Sequence, residues 1–579
     1  MGDMEYGIPY LYCVRLAGGE NDAAAGGELM TELGNRGIMG YVVTHSMTVS
    51  QYSYMQNIIA AILSAFALVI TGVSLIIIYF KISNSIEQNI TNIGALKALG
   101  YTSAQIRLSM VLEFTLTAAV ACAAGVGISY GTLPFLEPRL RHFAYMVWDY
   151  RFDPTALFLT VVLIVGAAML VSFFGTKSIV ALDPVQALRF GLRAHSFRKN
   201  HFPIEATGGS LTWLLALKAS VQNRKQNIML VGLMLVVGFV STFSVFLGYN
   251  TIYKKMNLFH LVNGITPDVE VTVRDPDAFY EIAELSGVNN VFWEDIQEMT
   301  VEDYNVYCTI TDDFGAIAQL PIYEGRAPKY DNEIAVGGVL AQSLGVSVGD
   351  EVTVSGNGRS VRYLITGLQQ GSTNMGMEIY MTEEGAKHLL IEADREVFCI
   401  EVEEPKLENS LRLVEELESM YGTRLLSYEN SVETLENGGD ITITVCILVI
   451  SLLLIVSILV IVLSMNLLVK TVIIRKQREY GIEKAIGFSS GQLRLQMALS
   501  MMPQTAFGAV FGSLFGYLLS NRLLSVLLYS VGVMKADMEV ALWMGLLAAG
   551  FVIGMTFLLV WVISSRIRRI SAYSLITDA

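Results

Sequence analysis

The sequence predicts an α-helical membrane protein with about seven transmembrane helices and one extracellular α+β domain. Three observations carry that prediction. Of 579 residues, 53 % are apolar and 16 % charged, and the mean hydropathy is +0.50, outside the range of ordinary soluble domains. The apolar residues gather into long runs, while acidic residues gather into one insert between them. Finally, a short segment of mixed polarity occurs twice: residues 92–107, NIGALKALGYTSAQIR, return as residues 479–494, EYGIEKAIGFSSGQLR, at an offset of 387.

A helix needs roughly 20 apolar residues to cross the hydrocarbon. Seven runs qualify, near 58–80, 108–133, 155–176, 228–253, 441–469, 495–521 and 540–565. Among them a charge occurs only in the second, Glu113. Buried helices of a large soluble enzyme would be neither so long nor so free of charge. An ionisable group inside a membrane is costly, so Glu113 is the one candidate for an intramembrane role. It lies near the cytoplasmic end of its run, and snorkelling or pairing with Arg107 is the expected explanation.

The net charge of −14 conceals two opposite balances. Between Thr251 and Asp440, 35 Asp+Glu face 12 Lys+Arg, a balance of −23; the remainder of the chain carries +9. Lys and Arg near span ends mark the cytoplasmic side. The basic clusters at 177–225, 470–494 and 566–569 are therefore expected inside and the acidic insert outside. Arg139, Arg141 and Arg151, in a short loop placed outside, run against the rule locally. Of the five cysteines, Cys122 and Cys446 sit in spans as small apolar residues. Cys308 and Cys399 share the outer domain, where a disulfide is permitted but not implied.

Taken in order, residues 1–52 have no basic start followed by an apolar core, so they do not resemble a signal peptide. They read as strand (PYLYCVRL), amphipathic helix and strand (GYVVTHS). The same order closes the acidic insert, as VFCIEVEE, PKLENSLRLVEELESMYG and TRLLSYE, which makes 1–52 the C-terminal remnant of a first outer domain. Residues 53–189 form a first three-helix block, with Gly125 and Gly127 as small-residue packing positions. Residues 190–226 form a basic cytoplasmic connector, and 227–253 the span that opens a second unit. Residues 254–440 form the outer domain, with a strand VEVTV, a helix PDAFYEIAEL, strands NVYCTI and SVRYLITGLQQ, and turns at Gly345, Gly349 and Asp350. Residues 441–579 form a second three-helix block. Leu188 and Leu575, after the last span of each block, also differ by 387, so the blocks have equal net length, as a duplication requires. By that offset the counterpart of the second unit's start, near Ser210, falls roughly 180 residues ahead of Met1, with one further span. A missing N-terminal segment or a second membrane chain is expected to supply it.

Two features carry a family resemblance. One is the Lys-Ala-Leu/Ile-Gly-aromatic-x-Ser signature after a long span, at 97–103 and 484–490. The other is the outer pattern YEGRAP…NEIAVGGVLAQSLGVSVGDEVTV…YLITGL. With the span order, these make the chain resemble the FtsX/MacB-like, type VII, permeases of ABC transporters over nearly its whole length. The resemblance implies that each repeated segment is a coupling helix docking on a cytoplasmic ABC ATPase dimer, and that the outer domain is of the MacB core type. It implies transmission of ATP-driven closure to the outer domain, in export or extraction of a peptide, lipoprotein or antibiotic. The residues it assigns to coupling are Gly94, Lys97, Ala98, Gly100 and Ser103 in the first copy. In the second they are Arg478, Glu479, Gly481, Lys484, Ala485, Gly487 and Ser490.

The residues by themselves fit that role. Arg475, Lys476, Arg478 and Glu479 beside Ile482 and Ile486 give a mixed face suited to a soluble partner. The competing reading is an interfacial helix resting on anionic lipid. The first copy is approached by NSIEQNITN, which lacks these charges, so its site is expected to couple more weakly or to another surface. No phosphate-cradling G-x-x-x-x-G-K-[ST] occurs, and the six histidines show no metal-ligand spacing. The chain is therefore expected to have no catalytic residues and to bind no cofactor or metal directly; ATP and Mg belong to the partner ATPase. Its expected surroundings are that ATPase and the lipid bilayer, with no nucleic acid. The alternatives are a non-transporting regulator of a cell-wall hydrolase or sensor kinase, and an ATP-independent membrane receptor, which leaves the repeat unexplained.

Overall fold

The computed structural model describes residues 45–144, 152–185, 187, 211–222, 224–275, 277–437, 441–529 and 532–569, together with 25, 26 and 29. The strand expected at 9–16, all of the helix expected before residue 40 except the helical residues 25, 26 and 29, most of the basic connector, and the Leu188/Leu575 pair lie outside the described residues. The strand expected at 40–46 meets the start of a helix at His45.

The first block comprises α1 (His45–Gln88), a short α2 (Ile90–Ala98), α3 (Ser103–Ala144) and α4 (Pro154–Gly175), which ends in a 3-10 turn, Thr176–Ile179. The start of α4 is set locally: the Asp153 carboxylate accepts from the amides of Thr155 and Ala156, and Pro154 occupies the first turn. The second unit begins with α5 (Leu211–Gln222) and α6 (Arg224–Gly248), followed by one π-helical turn, Tyr249–Tyr253.

The outer domain runs from α7 (Lys255–Asn263) through β1 (Val269–Val273), α8 (Ala278–Ala283), β2 (Val288–Val301), β3 (Tyr304–Thr311), β4 (Ile322–Gly325) and β5 (Glu333–Gly337). It continues with α9 (Gly338–Leu344), β6 (Glu351–Gly356), β7 (Arg359–Gln369), β8 (Glu378–Thr382) and α10 (Glu383–Lys387). It ends with β9 (Val397–Val402), α11 (Leu407–Tyr421), β10 (Leu425–Asn430) and α12 (Ser431–Glu436). The last block repeats the first: α13 (Ile441–Arg475), a short α14 (Gln477–Ala485), α15 (Ser490–Leu528) and α16 (Leu542–Ile563), with a terminal 3-10 turn, Ser564–Arg569.

Seven of these helices are long and apolar enough to cross a membrane, close to the runs expected from sequence. They are not equally enclosed. Two thirds (67 %) of the apolar window of α6 is buried, against 6–22 % for the three spans of the first block. The reason is a stripe of small residues on α15. A methyl group added at Gly508, Gly512 or Gly516 would fall 2.6 Å from the Val231 carbonyl, 2.1 Å from the Leu235 carbonyl and 2.7 Å from the Thr242 Cβ. The backbones of α6 and α15 therefore approach as only glycine allows. At the offset of 387, the matching positions on α3 are Ala121, Gly125 and Ser129, and all three are exposed. Gly125 and Gly127, expected as packing positions, have nothing within 4 Å among the described residues, because no described helix covers that face as α6 covers α15.

The outer domain is built on one mixed sheet in the order β10-β1-β9-β2-β3-β8-β5-β7-β4, with β6 bridging β2 and β7. The pairs β3·β8 and β5·β7 are parallel and the others antiparallel. The 14-residue β2 was not legible in sequence, because Glu294, Asp295 and Glu298 interrupt its apolar pattern. Helix α11 is amphipathic as expected, burying Leu413, Val414, Leu417 and Tyr421 against the sheet. The turns expected at Gly345 and Gly349 are present, both with positive φ (71° and 99°). Cys308 and Cys399 are buried and free, packed in two different clusters of the core rather than against each other.

Candidate coupling site

Each repeated segment folds into the same elbow. In the first copy α2 ends with the Gly100 amide donating to the Lys97 carbonyl and Tyr101 to Leu96, both at 3.1 Å. In the second, Gly487 donates to Lys484 and Phe488 to Glu483, both at 3.0 Å. This paired closure needs a left-handed residue at the corner. Gly100 and Gly487 supply it, with φ of 98° and 109°. The next helix starts at once. Thr102 and Gln105 exchange side-chain and backbone bonds, as do Ser489 and Gln492, each pair forming a capping box. The recurring glycine and glutamine are thus explained by turn chemistry, and Ser103 and Ser490 are the first residues of α3 and α15.

The recurring lysine and arginine fasten the elbow to the end of the block's last span. Lys97 Nζ donates to the carbonyls of Ile179 (2.6 Å) and Leu182 (2.9 Å); Lys484 Nζ donates to those of Ile567 (2.8 Å) and Arg568 (3.4 Å). These carbonyls lie at or just beyond the C-terminal end of the span, near the negative end of the helix dipole. One turn deeper, Arg107 donates to the Phe173 carbonyl at 3.1 Å and lies 4.7 Å from that ring's centre. Arg494 grips the Trp561 carbonyl twice (3.1 and 2.7 Å) and stacks 4.1 Å from its ring. Gly94 is buried against Ala187, whose Cβ would sit 2.6 Å from an added methyl, and Gly481 is buried likewise. The pairing of Arg107 with Glu113 does not form: the guanidinium is turned to Phe173 and Glu113 is exposed.

Once these internal contacts are made, the elbow presents an apolar tip. Leu99 is 78 % exposed and Ile486 74 %, at matching positions, flanked by exposed Ala98, Gly100, Ala485 and Gly487. The mixed charged face expected on the second copy is only partly outward. Glu479 is exposed, whereas Arg475 turns inward to Gln226 (3.1 Å) and Glu87 (4.0 Å), the latter on the first block. Lys476 is largely covered and pairs with Glu479 at 3.3 Å. Arg478 lies on α14, and its side chain is outside the described residues. Sequence reasoning named Ile486 on that mixed face but missed its counterpart Leu99; the signal was an apolar residue beside the corner glycine in both copies.

For a metal, the described residues bring one mixed donor set together in the outer domain. Glu270, Glu294 and Cys399, on β1, β2 and β9, place ligand atoms within 4.8 Å of one another. Burial, reinforced by the Glu270 charge, pushes the Glu294 carboxyl up to about 7. A carboxyl raised on folding stabilises the fold most below its unfolded value near 4.5, and that contribution is lost as pH rises from there through about 7. Glu294→Gln is expected to remove this pH dependence. The protection factors of β1, β2 and β9, corrected for the intrinsic pH dependence of amide exchange, should then fall more from pH 5 to pH 8 in the wild type than in the variant; an equal fall in both would refute it.

The comparisons with known proteins bear on the two helical blocks. The model of the FtsX-like permease C-terminal family matches residues 64–184 and again 451–572, which are the two blocks with their elbows. Both helical blocks belong to the FtsX-like permease C-terminal family. Among curated proteins none matches. Two solved structures are similar to the outer part at 11 % identity. The periplasmic region of MacB from Actinobacillus actinomycetemcomitans covers 30 % of this chain and 93 % of its own, with a TM-score of 0.24. The extracellular domain of the noncanonic ABC-type transporter YknZ from Gram-positive bacteria covers 28 % and 98 %, with a TM-score of 0.22. The chain is a multi-pass membrane protein with its acidic α+β domain on the extracellular side.

Proposed function

We propose that this permease couples ATP hydrolysis by a cytoplasmic ABC ATPase dimer to movement of its outer domain, in export or extraction of a peptide, lipoprotein or antibiotic. The ATPase docks at 94–103 and 481–490. The observation that carries the proposal is the matched apolar tip: Leu99 and Ile486 are exposed at the corner of two elbows whose lysines are fastened to the last span of each block. An apolar knob on a rigid support beside a span end suits a cleft on a soluble protein. A helix built only to rest on lipid needs no fixed corner. The two tips differ in their flanks. The first is neutral, with Asn92 and Leu96 where the second has Glu479 and Glu483, so the ATPase meets two unequal surfaces.

The test is co-purification. Leu99→Asp with Ile486→Asp places a carboxylate on each knob without touching the internal fastenings. The expected result is loss of the co-purifying ATPase from gently solubilised membranes, with the permease still folded by its elution profile. An ATPase retained at wild-type yield would refute docking at these tips.

A further inference from the structure

We infer that the segment 532–539, between α15 and α16, is a strap that fastens the outer domain to the transmembrane block, with Gln370 as its pin. The outer domain is already joined to the block by two covalent stalks, α6 with its π-turn and α13. A body held at two neighbouring points can still rock about the line between them; a third attachment fixes its tilt to whatever moves that attachment.

Gln370 follows the end of β7 and is 8 % exposed. Its side-chain oxygen accepts from the amides of Met534 (3.1 Å) and Lys535 (2.8 Å), and its side-chain nitrogen donates to the Lys535 carbonyl (2.9 Å). One amide side chain thus satisfies three backbone groups of a segment with no strand partner. Around it the two backbones touch. Gly532 has φ 92°, and a methyl there would fall 2.0 Å from the Gly371 carbonyl; a methyl on Gly338 would fall 2.3 Å from Met534 Cγ. Tyr529 bonds Gln342 on α9.

The other side of the strap is held as firmly by the helices. Val533, Ala536 and Met538 are buried in the helical core. Asn521 bonds the Met538 backbone through both of its amide atoms (3.0 and 3.3 Å), and Ser525 accepts from Ala536 (2.7 Å). From the π-turn, Asn250 donates to the Glu539 carbonyl (3.0 Å), while Lys254 pairs with the Glu539 carboxylate at 2.6 Å. The π-turn is thereby tied to the strap as well as to the outer domain, a setting in which such turns are often functional.

The strap lies at one end of α15, and the second elbow lies at the other. Helix α15 has 39 residues, about 58 Å at 1.5 Å per residue, so a single helix runs from the candidate ATPase contact to the strap. Displacement of the elbow is delivered to the outer domain through this rod rather than only through the stalks. That drive rests on the proposed coupling function; the fastening itself does not.

The experiment uses the full chain with its co-purifying ATPase, spin labels on the outer domain and on α15, and amide exchange of the strap. In Gln370→Ala, Met534 and Lys535 should exchange at least tenfold faster. The label distance should broaden, while the sheet strands keep wild-type protection. Gly532→Ala reaches the same joint from the strap side and should do the same. ATPase turnover should stay within twofold of wild type in both, with the nucleotide-dependent distance change lost. Unchanged strap exchange or an unchanged label distribution in both variants overturns the strap. A retained nucleotide-dependent change beside a loosened strap overturns the rod. A failure of the coupling function itself shows elsewhere, in an ATPase indifferent to the Leu99 and Ile486 substitutions.

Discussion

Lys484→Met is expected to leave the ATPase bound but cut its stimulation about tenfold. The methionine keeps the length and apolar stem of lysine and removes the ammonium that holds α14 against the carbonyls of Ile567 and Arg568. A hydrogen bond to a charged group contributes about 1.5–3 kcal/mol, and 1.4 kcal/mol is a factor of ten. The tip residue Ile486 remains exposed and able to bind, but its support can now swing. Lys484→Arg restores a donor and should recover part of the stimulation. Stimulated hydrolysis of the purified complex, with subunit stoichiometry measured in parallel, checks this. Full stimulation in Lys484→Met would show that the fastening is not part of the coupling.

The second large effect is a contrast between matched glycines. Gly512→Leu should lower the thermal stability of the detergent-solubilised protein sharply, whereas Gly125→Leu, 387 positions earlier, should change it little. The obstacle at Gly512 is the backbone of α6, with the Leu235 carbonyl 2.1 Å from the added Cβ, so relief requires moving a whole helix. Overpacking of this kind costs typically about 1–3 kcal/mol and more when backbone must shift. Gly125 has nothing within 4 Å among the described residues, and exposed substitutions usually stay within about 0.5 kcal/mol. A large loss at Gly125 as well would show that a further helix seats on α3, as the expectation of an eighth span requires.

The spans, their order and the side on which the acidic domain lies were legible because membrane crossing demands length and apolarity, which a linear pattern displays directly. Half of the ten outer strands, β1, β3, β7, β9 and β10, were legible from alternation, and the longest, β2, was not, because its acids lie in the middle of a long strand. The repeat was legible too, but not the work each residue does within it. The family resemblance assigned Lys97, Lys484, Gly94, Gly481, Gly100 and Gly487 to coupling. In the structure the two lysines fasten the elbow, Gly94 and Gly481 are buried in it, and Gly100 and Gly487 turn its corner beside the exposed Leu99 and Ile486.

A duplicated membrane protein with an acidic outer domain follows from composition, span length and a constant offset, none of which needs a third dimension. Packing sets which repeated residues face inward, that α6 rather than a first-block helix is enclosed, and that Gln370 meets the 532–539 segment. Those contacts join residues 66 to 165 positions apart, and further still between α6 and α15. No local pattern records such pairings, because they depend on how close two backbones come once the helices have packed.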